Sequence, residues 1–282
     1  MGTDLATENL WRAWSFQPVV IGGGLVAIAF FLHGWRRLRR RRTDLAPWSR
    51  IPLFLAGVAV TVLAIVSPID VIGESYLQSV HMLQHVLVAD LGIALTVVAV
   101  RGPLSVFLLP RDLLVPLARM TWLRRALRFL LRPGVSYVVW VATFVSWHVP
   151  WLYEKALHHR SWHDLMHLSF VVGGILVWTQ IIDPSRHHRL TLNKRIGFTA
   201  LVFWTGQMMA YVTLFGFTPL FPTYVEQPVR LLGLEPLTDQ KLAGVVMMVE
   251  QTLTVGLAFV LLLHAAHKRR AAPPALRDRR PL

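Results

Sequence analysis

Residues 79–100, SVHMLQHVLVADLGIALTVVAV, begin with two histidines four positions apart and continue as an almost uninterrupted apolar run. A run of this length matches the roughly 17–25 residues that an α-helix needs to cross a bilayer. Residues four apart are neighbours on a helix surface, so His81 and His85 would lie one above the other on one face. The stretch therefore predicts a transmembrane helix that carries two imidazoles at one end.

The rest of the chain has the composition of a membrane protein. Of its 282 residues, 54% are hydrophobic and 16% are charged, against about a quarter charged in soluble domains. Seven apolar segments are long enough to span a bilayer: residues 17–35, 50–67, 79–100, 134–150, 163–182, 196–216 and 241–264. The predicted fold is an all-α, polytopic membrane helix bundle of seven transmembrane helices over residues 1–270. A disordered basic tail is predicted at 271–282.

The net charge of +14 is distributed in a way that indicates orientation. Lys and Arg concentrate in the loops after the first, third and fifth segments and in the tail, whereas acidic residues lie in the other loops. The positive-inside rule then predicts an outer N-terminus, a cytoplasmic C-terminus and a basic face that contacts anionic lipids. The second half of 109–131, which is basic and amphipathic, is predicted to lie in the membrane interface. Nucleic-acid binding is not expected, because no basic groove or stacking platform is evident.

Seven of the twelve histidines fall at the predicted outer face, on three consecutive segments. His148 ends the fourth segment, His158 and His159 follow in the loop, and His163 and His167 repeat the four-residue spacing in the fifth. Two imidazoles on one helix face can hold one ion, and imidazole suits copper, zinc and iron. The chain has no cysteine, so thiolate ligands are excluded. The pattern predicts one metal site made of the two histidine pairs with His148 between them.

Methionines predict a path for copper within the same bundle. Thioether sulfur favours Cu(I) over harder ions. Five methionines fall in the outer halves of the third, sixth and seventh segments: Met82, Met208, Met209, Met247 and Met248. The competing interpretation is that these side chains only fill gaps in the core, which is the commoner role of methionine.

Two acidic residues, Asp90 and Glu250, lie deep inside predicted spans. A charged side chain at the bilayer centre costs at least about 2.5–3.5 kcal/mol, so both are functional candidates. The alternative is a protonated acid that hydrogen-bonds across helices, for example to Gln251, Gln207 or Thr205. Asp90 is about 140° round the helix from His85 and is therefore expected to face the seventh segment and not the histidine site.

Four motifs together resemble the seven-helix CtaG family of bacterial cytochrome c oxidase assembly factors. They are HMLQH (81–85), WHVPWLYEKAL (147–157), HDLMHLSF (163–170) with DP (183–184), and DQKLAGVVMM (239–248). The resemblance implies a multi-pass protein of the bacterial plasma membrane that matures haem–copper oxidases without catalytic turnover. It implies oxidase subunits and extracytoplasmic copper chaperones as partners, and it adds Asp239 to the site. The chain departs from the family pattern where ADLGIALTVV replaces an apolar run ending in Ala-Pro and where VEQ replaces a Pro-Gly pair after VVMM.

The resulting hypothesis is a copper-handling assembly factor. Copper would bind His81, His85, His163 and His167, with His148 and Asp239 assisting, and then pass to an oxidase subunit. Three alternatives stay open at this point. The first is a redox protein with haem held between His85 and His167, and the second is a proton-coupled transporter built on Asp90 and Glu250. The third is a zinc hydrolase, although the chain has no H-E-x-x-H motif.

Overall fold

The computed structural model describes residues 9–10, 12–184 and 190–271. All the regular secondary structure in these residues is helical, which confirms the predicted all-α class. The helices, numbered in chain order, are α1 Pro18–Arg39, α2 Arg50–Val66, α3 Pro68–Ser75, α4 Gln78–Ala99, α5 Leu104–Phe107, α6 Arg111–Arg119, α7 Thr121–Leu130, α8 Pro133–Ser146, α9 Pro150–His158, α10 Arg160–Ile182, α11 Leu192–Leu214, α12 Pro222–Glu226 and α13 Pro236–Ala271. The predicted tail lies outside the described residues except for Ala271, which ends α13.

Five helices are long and apolar enough to cross a membrane: α1, α2 with the turn before it, α4, α10 and α13. Helix α8 has only 14 residues and reaches such a length only together with α7, from which it is bent by 75°. Helix α11 has 23 residues, but its threonines and Gln207 make it less apolar than those five. The membrane-type helical architecture is therefore supported, whereas seven spans and the orientation of the termini stay predictions.

Helix α4, which carries the first histidine pair, lies at the centre of the bundle. It packs against α2, α3, α10 and α13. Gly92 of α4 and Gly57 of α2 let these two helices approach so closely that a Cβ on Gly92 would collide with Thr61. On the other side, a Cβ on Gly174 of α10 would collide with the carbonyl oxygen of Ala89. These two glycine contacts fix the position of α4 between its neighbours.

Helices α4 and α13 are each interrupted by one π-helical turn. The turns cover Leu87–Leu91 and Thr252–Gly256. A π-turn adds one residue to the regular winding and is frequently found at functional sites. Asp90 lies inside the first turn, and Glu250 lies two residues before the second. The two predicted intramembrane acids thus coincide with the two irregular turns of the bundle.

The opposite ends of the bundle differ in their side chains. The basic end comprises the loops 40–49 and 100–110 with helices α6 and α7, which bury no side chain. There Phe31 and Phe54 stack with ring centroids 4.0 Å apart, and Trp35 donates to the carbonyl of Pro47. The histidine end comprises the first turns of α4, α10 and α13 with α3, α9 and α12. The helical structure of 111–130 is confirmed, while its place in the membrane interface stays a prediction.

Candidate functional site

The two predicted histidine pairs face each other between α4 and α10. Within the pairs, ring centroids are 4.4 Å apart for His81 and His85 and 4.3 Å apart for His163 and His167. Across the helices, His81 lies 5.5 Å from His163, and His85 lies 5.1 Å from His167. None of the four is more than 7% exposed. Each of these four rings, called here the imidazole cluster, thus contacts one ring on its own helix and one ring on the other helix.

Each ring of the imidazole cluster has a buried Nε2 atom without a hydrogen-bond partner, and so does His148. His85 also leaves its Nδ1 without one. Buried polar atoms in proteins are nearly always paired, because an unpaired one loses its hydration without compensation. Six such atoms on five rings at one end of the bundle are suited to a ligand that accepts nitrogen lone pairs, as a metal ion does.

In two of the five rings, a hydrogen bond made by Nδ1 fixes which nitrogen carries the proton. Nδ1 of His163 is 2.7 Å from a carboxylate oxygen of Glu74, and Nδ1 of His148 is 2.7 Å from the carbonyl oxygen of Phe144. Carboxylate and carbonyl oxygens accept, so in both rings Nδ1–H donates. Each neutral ring then presents the lone pair of Nε2, and a carboxylate–histidine pair of this kind is typical of metal sites.

A hydrogen bond to Tyr224 likewise fixes which nitrogen of His81 carries the proton. Tyr224 donates its hydroxyl proton to the carbonyl of Gly73 at 2.8 Å, so its oxygen must accept from Nδ1–H of His81, 3.0 Å away. Tyr153 lies 3.0 Å from the same oxygen and donates to it. Burial raises the pKa of Tyr153 and of Tyr224 well above the ordinary value, so both stay neutral. Three of the five histidines are thereby held with Nε2 free of its proton.

The other predicted site residues lie near the imidazole cluster but outside it. The carboxylate of Asp239 accepts hydrogen bonds from the backbone N–H groups of Gln78 and Ser79, at 2.6 and 3.2 Å, and from the Ser79 hydroxyl. Asp239 therefore caps the first turn of α4 and positions His81, instead of facing the imidazoles. His158, an exposed residue, pairs with Glu154 at 3.5 Å.

The nitrogens of the imidazole cluster do not converge on one point in this arrangement. Among the described residues, one group brings three potential ligand atoms within 4.8 Å of one another: Asp70, Glu74 and His163. An ion held by three or four imidazoles would require the rings to rotate about their side-chain bonds. Sequence reasoning missed Asp70 and Glu74, although their four-residue spacing in PIDVIGES was a signal for a shared helix face.

A cavity extends from the imidazole cluster towards the two π-turns. His85, His148, Met82 and Met247 line it, together with Asp90 and Glu250. It offers about 70 Å³ to the centres of water-sized molecules, several times the roughly 10–15 Å³ that one water needs. Of the predicted methionine path, Met82 and Met247 line this cavity and Met209 and Met248 pack around them. Met208 is 59% exposed and does not line the cavity.

The intramembrane acids have different partners from those expected. Asp90 accepts from the indole N–H of Trp178 at 2.5 Å and from the hydroxyl of Thr254 at 3.2 Å, which confirms that it faces α13. Two of the expected partners bond elsewhere, Gln207 to the carbonyl of Met248 and Thr205 to Tyr137. The third, Gln251, lines the same cavity as both acids. The expectation that Asp90 lies apart from the histidine site was wrong in one respect. It lines the same cavity as His85, because the π-turn alters the winding between them.

Comparisons with known proteins identify the family. A family model described as cytochrome c oxidase caa3 assembly factor matches residues 29–269. Two uncharacterised proteins, from Mycobacterium bovis and Mycobacterium tuberculosis, are each 31% identical over 215 residues, which is 71% of this chain but 32% of theirs. The chain thus spans about a third of the length of these curated relatives, and no solved structure matches it. Because the family match covers most of the chain, the protein belongs to the family of cytochrome c oxidase caa3 assembly factors.

Proposed function

We propose that the protein helps to assemble a cytochrome c oxidase in a bacterial plasma membrane by holding copper at the imidazole cluster and aiding its delivery to the oxidase. Family membership supports the oxidase as the client. The observation that carries copper binding is the set of five buried Nε2 atoms without hydrogen-bond partners. Copper is the cargo in this proposal, and no chemical turnover of a substrate is involved.

The donor set favours copper over most other biological metals. The imidazole cluster offers nitrogen ligands, and imidazole suits copper, zinc and iron, while magnesium and calcium prefer oxygen. The adjoining cavity adds the thioethers of Met82 and Met247, soft ligands that suit Cu(I). A copper ion released by an imidazole would therefore still find soft ligands one step further into the bundle.

The predicted orientation gives this route a direction. With the histidine end on the outer side, copper would arrive from an extracytoplasmic chaperone and leave towards an oxidase subunit docked on the bundle. The basic end would face the cytoplasm and anionic lipid headgroups. Asp239 would contribute by fixing the first turn of α4, since its contacts are with the backbone of that turn.

Haem as the ligand fits the geometry poorly. A haem held by two histidines needs its macrocycle between the two rings. The rings of His85 and His167 are in edge contact, with centroids 5.1 Å apart and the aromatic ring of Phe170 4.8 Å from His85. This spacing is too small for a porphyrin plane and two axial bonds.

The test is metal content measured by mass spectrometry on the detergent-purified full chain after reconstitution with Cu(I), with an absorption spectrum of the same sample. Wild type should hold about one copper, and His81→Ala/His85→Ala should hold none. The matched control is His158→Ala/His159→Ala, which removes two exposed histidines of the same end and should keep the copper.

Two outcomes would contradict the proposal. One is a wild-type protein that binds no copper under these conditions. The other is a double variant at His81 and His85 that binds as much copper as wild type. A companion assay in cells should show an oxidase with less copper when the same double variant replaces the wild-type protein.

A further inference from the structure

A second group of ligand-type side chains lies beside the imidazole cluster. Asp70 and Glu74 are four residues apart on α3, and with His163 of α10 they place three potential ligand atoms within 4.8 Å of one another. Asp70 is 3% exposed and His163 is 2% exposed, whereas the side chain of Glu74 is 26% exposed. Glu74 is therefore where this group opens to the surroundings.

The contacts of the group leave polar atoms unpaired. Asp70 accepts from Nε2 of Gln84 at 2.6 Å and from Nε2 of Gln17 at 3.3 Å, and Glu74 lies 2.7 Å from Nδ1 of His163. The carbonyl oxygen of the fully buried Gln84 side chain lacks a partner, as does Nε2 of His163 on the side of the imidazole cluster. Two carboxylates held together beside the unpaired Gln84 oxygen are an arrangement that a bound cation would stabilise.

We propose that Asp70, Glu74 and Nδ1 of His163 form a second metal site beside the imidazole cluster, called here the entrance site. It binds a divalent cation such as Zn²⁺ or Cu²⁺. Two carboxylate oxygens and one imidazole form a harder donor set than imidazoles alone, so this site disfavours Cu(I). Binding of a divalent cation here is independent of the proposed function.

His163 connects the two sites. Its Nδ1 faces Glu74, while its unpartnered Nε2 belongs to the imidazole cluster. A neutral imidazole has one lone pair and one N–H, so the ring can serve as a ligand on only one side at a time. An ion in the entrance site therefore withdraws His163 from the cluster, and an ion in the cluster withdraws it from the entrance site.

The entrance site is tested with Zn²⁺ as the probe, by calorimetric titration of the detergent-purified full chain. The triple variant His81→Ala/His85→Ala/His167→Ala disables the imidazole cluster and keeps all three entrance ligands. It should bind one Zn²⁺, and a further Glu74→Gln change should weaken that binding at least tenfold. Asp164→Asn is the matched control, because this exposed acid adjoins His163 in sequence and pairs with Arg160. It should change nothing.

If the triple variant does not fold, electron paramagnetic resonance of Cu²⁺ bound to the wild-type protein tests the second metal site instead. The first equivalent of Cu²⁺ added to wild type should give an electron paramagnetic resonance spectrum with splitting from one nitrogen, and Glu74→Gln should abolish that spectrum. Three or four nitrogens in wild type, unchanged by Glu74→Gln, would overturn the proposal, as would a folded triple variant that binds no Zn²⁺. Neither result depends on whether the imidazole cluster binds Cu(I), so the two proposals can fail separately.

Discussion

The two ends of the bundle pack aromatic rings between helices in opposite ways. At the basic end, Phe31 and Phe54 stack without polar atoms, and the indole N–H of Trp35 has its acceptor. At the histidine end, the four rings of the imidazole cluster are buried as deeply and His148 is half-buried, but each of these five rings keeps an unpaired nitrogen. An unpaired buried polar atom destabilises the folded state, whereas a filled apolar contact stabilises it. The filled apolar contacts of the basic end therefore stabilise the bundle, whereas the unpaired nitrogens of the histidine end destabilise it.

The largest effect is expected at the basic end. Phe31→Ala removes a fully buried ring and leaves a cavity against Phe54, which should lower the free energy of unfolding by about 3–5 kcal/mol. Thermal unfolding in detergent measures this. Phe217, which is 94% exposed, supplies the control, and Phe217→Ala should leave the midpoint unchanged. A small effect of Phe31→Ala would mean that this end does not carry the stability of the bundle.

The next effect concerns the hydrogen bond that fixes His81. Tyr224→Phe removes the acceptor of Nδ1–H, so the ring of His81 can rotate or change tautomer. Loss of such an outer contact typically weakens metal affinity about 10–100-fold, and we expect the lower half of that range for Cu(I). Competition with a Cu(I) chelator measures it. Tyr137→Phe, whose hydroxyl contacts Thr205 elsewhere, should bind as wild type does.

A third effect depends on pH. Burial, and next the charge of Glu74, raises the pKa of Asp70 to about 6. Protonated Asp70 is thus favoured by folding, and the stability it contributes is present below about pH 4 and is lost as the pH rises through 6. In metal-free protein, Asp70→Asn should therefore raise the free energy of unfolding by about 1–2 kcal/mol at pH 7.5 and by much less at pH 4.5.

Thermal unfolding with a chelator present, at both pH values, measures this difference. Among the charged and titratable groups around Asp70, Glu74 raises its pKa, whereas His163 and Arg160 lower it, so Glu74→Gln should reduce the pH dependence of wild type as well. Equal stabilisation by Asp70→Asn at the two pH values would contradict the assignment of the effect to the Asp70 carboxylate.

The smallest effect on stability, and the sharpest contrast with Phe31, is expected for His85. His85→Leu replaces a ring with two unpaired nitrogens by an apolar side chain of similar size, so metal-free stability should change by less than about 1 kcal/mol or should rise. The same variant should lose copper binding. A loss of several kcal/mol would show instead that His85 is a structural residue and would remove the contrast between the two ends.

Much of the fold and part of the site followed from local patterns in the sequence. The apolar runs predicted the long helices within a few residues, and the four-residue spacing predicted that His81 and His85 share a face with each other, as His163 and His167 do. These features depend on helix geometry alone. The contacts of Tyr224 and Glu74 with histidines of other helices depend on tertiary packing, which the spacing of residues does not encode.

At two further residues, Asp239 and Asp90, the structure differs from the expectation because the spacing of residues in the sequence does not encode the relevant contacts. The carboxylate of Asp239 caps α4 because α13 starts beside the first turn of α4, a neighbourhood that no motif in the sequence specifies. Asp90 shares a cavity with His85 because a π-turn lies between them, and the regular period used for the expectation assumes uninterrupted winding. Irregular turns thus limit what hydrophobic periodicity can predict about the face on which a residue lies.

The π-turn at Leu87–Leu91 makes the number of residues in α4 matter as much as their identity. Because of its extra residue, the side chains of 81–86 lie at other angles around the helix axis, relative to those of 92–99, than they would in an uninterrupted α-helix. Removing a single residue, such as Val88, would restore uniform winding and keep the two histidines at about their present angle to Gly92, because the turn only accommodates one residue more than regular winding does. Regular winding with every residue kept would instead turn the two histidines by about 100° relative to Gly92 and direct them away from α10.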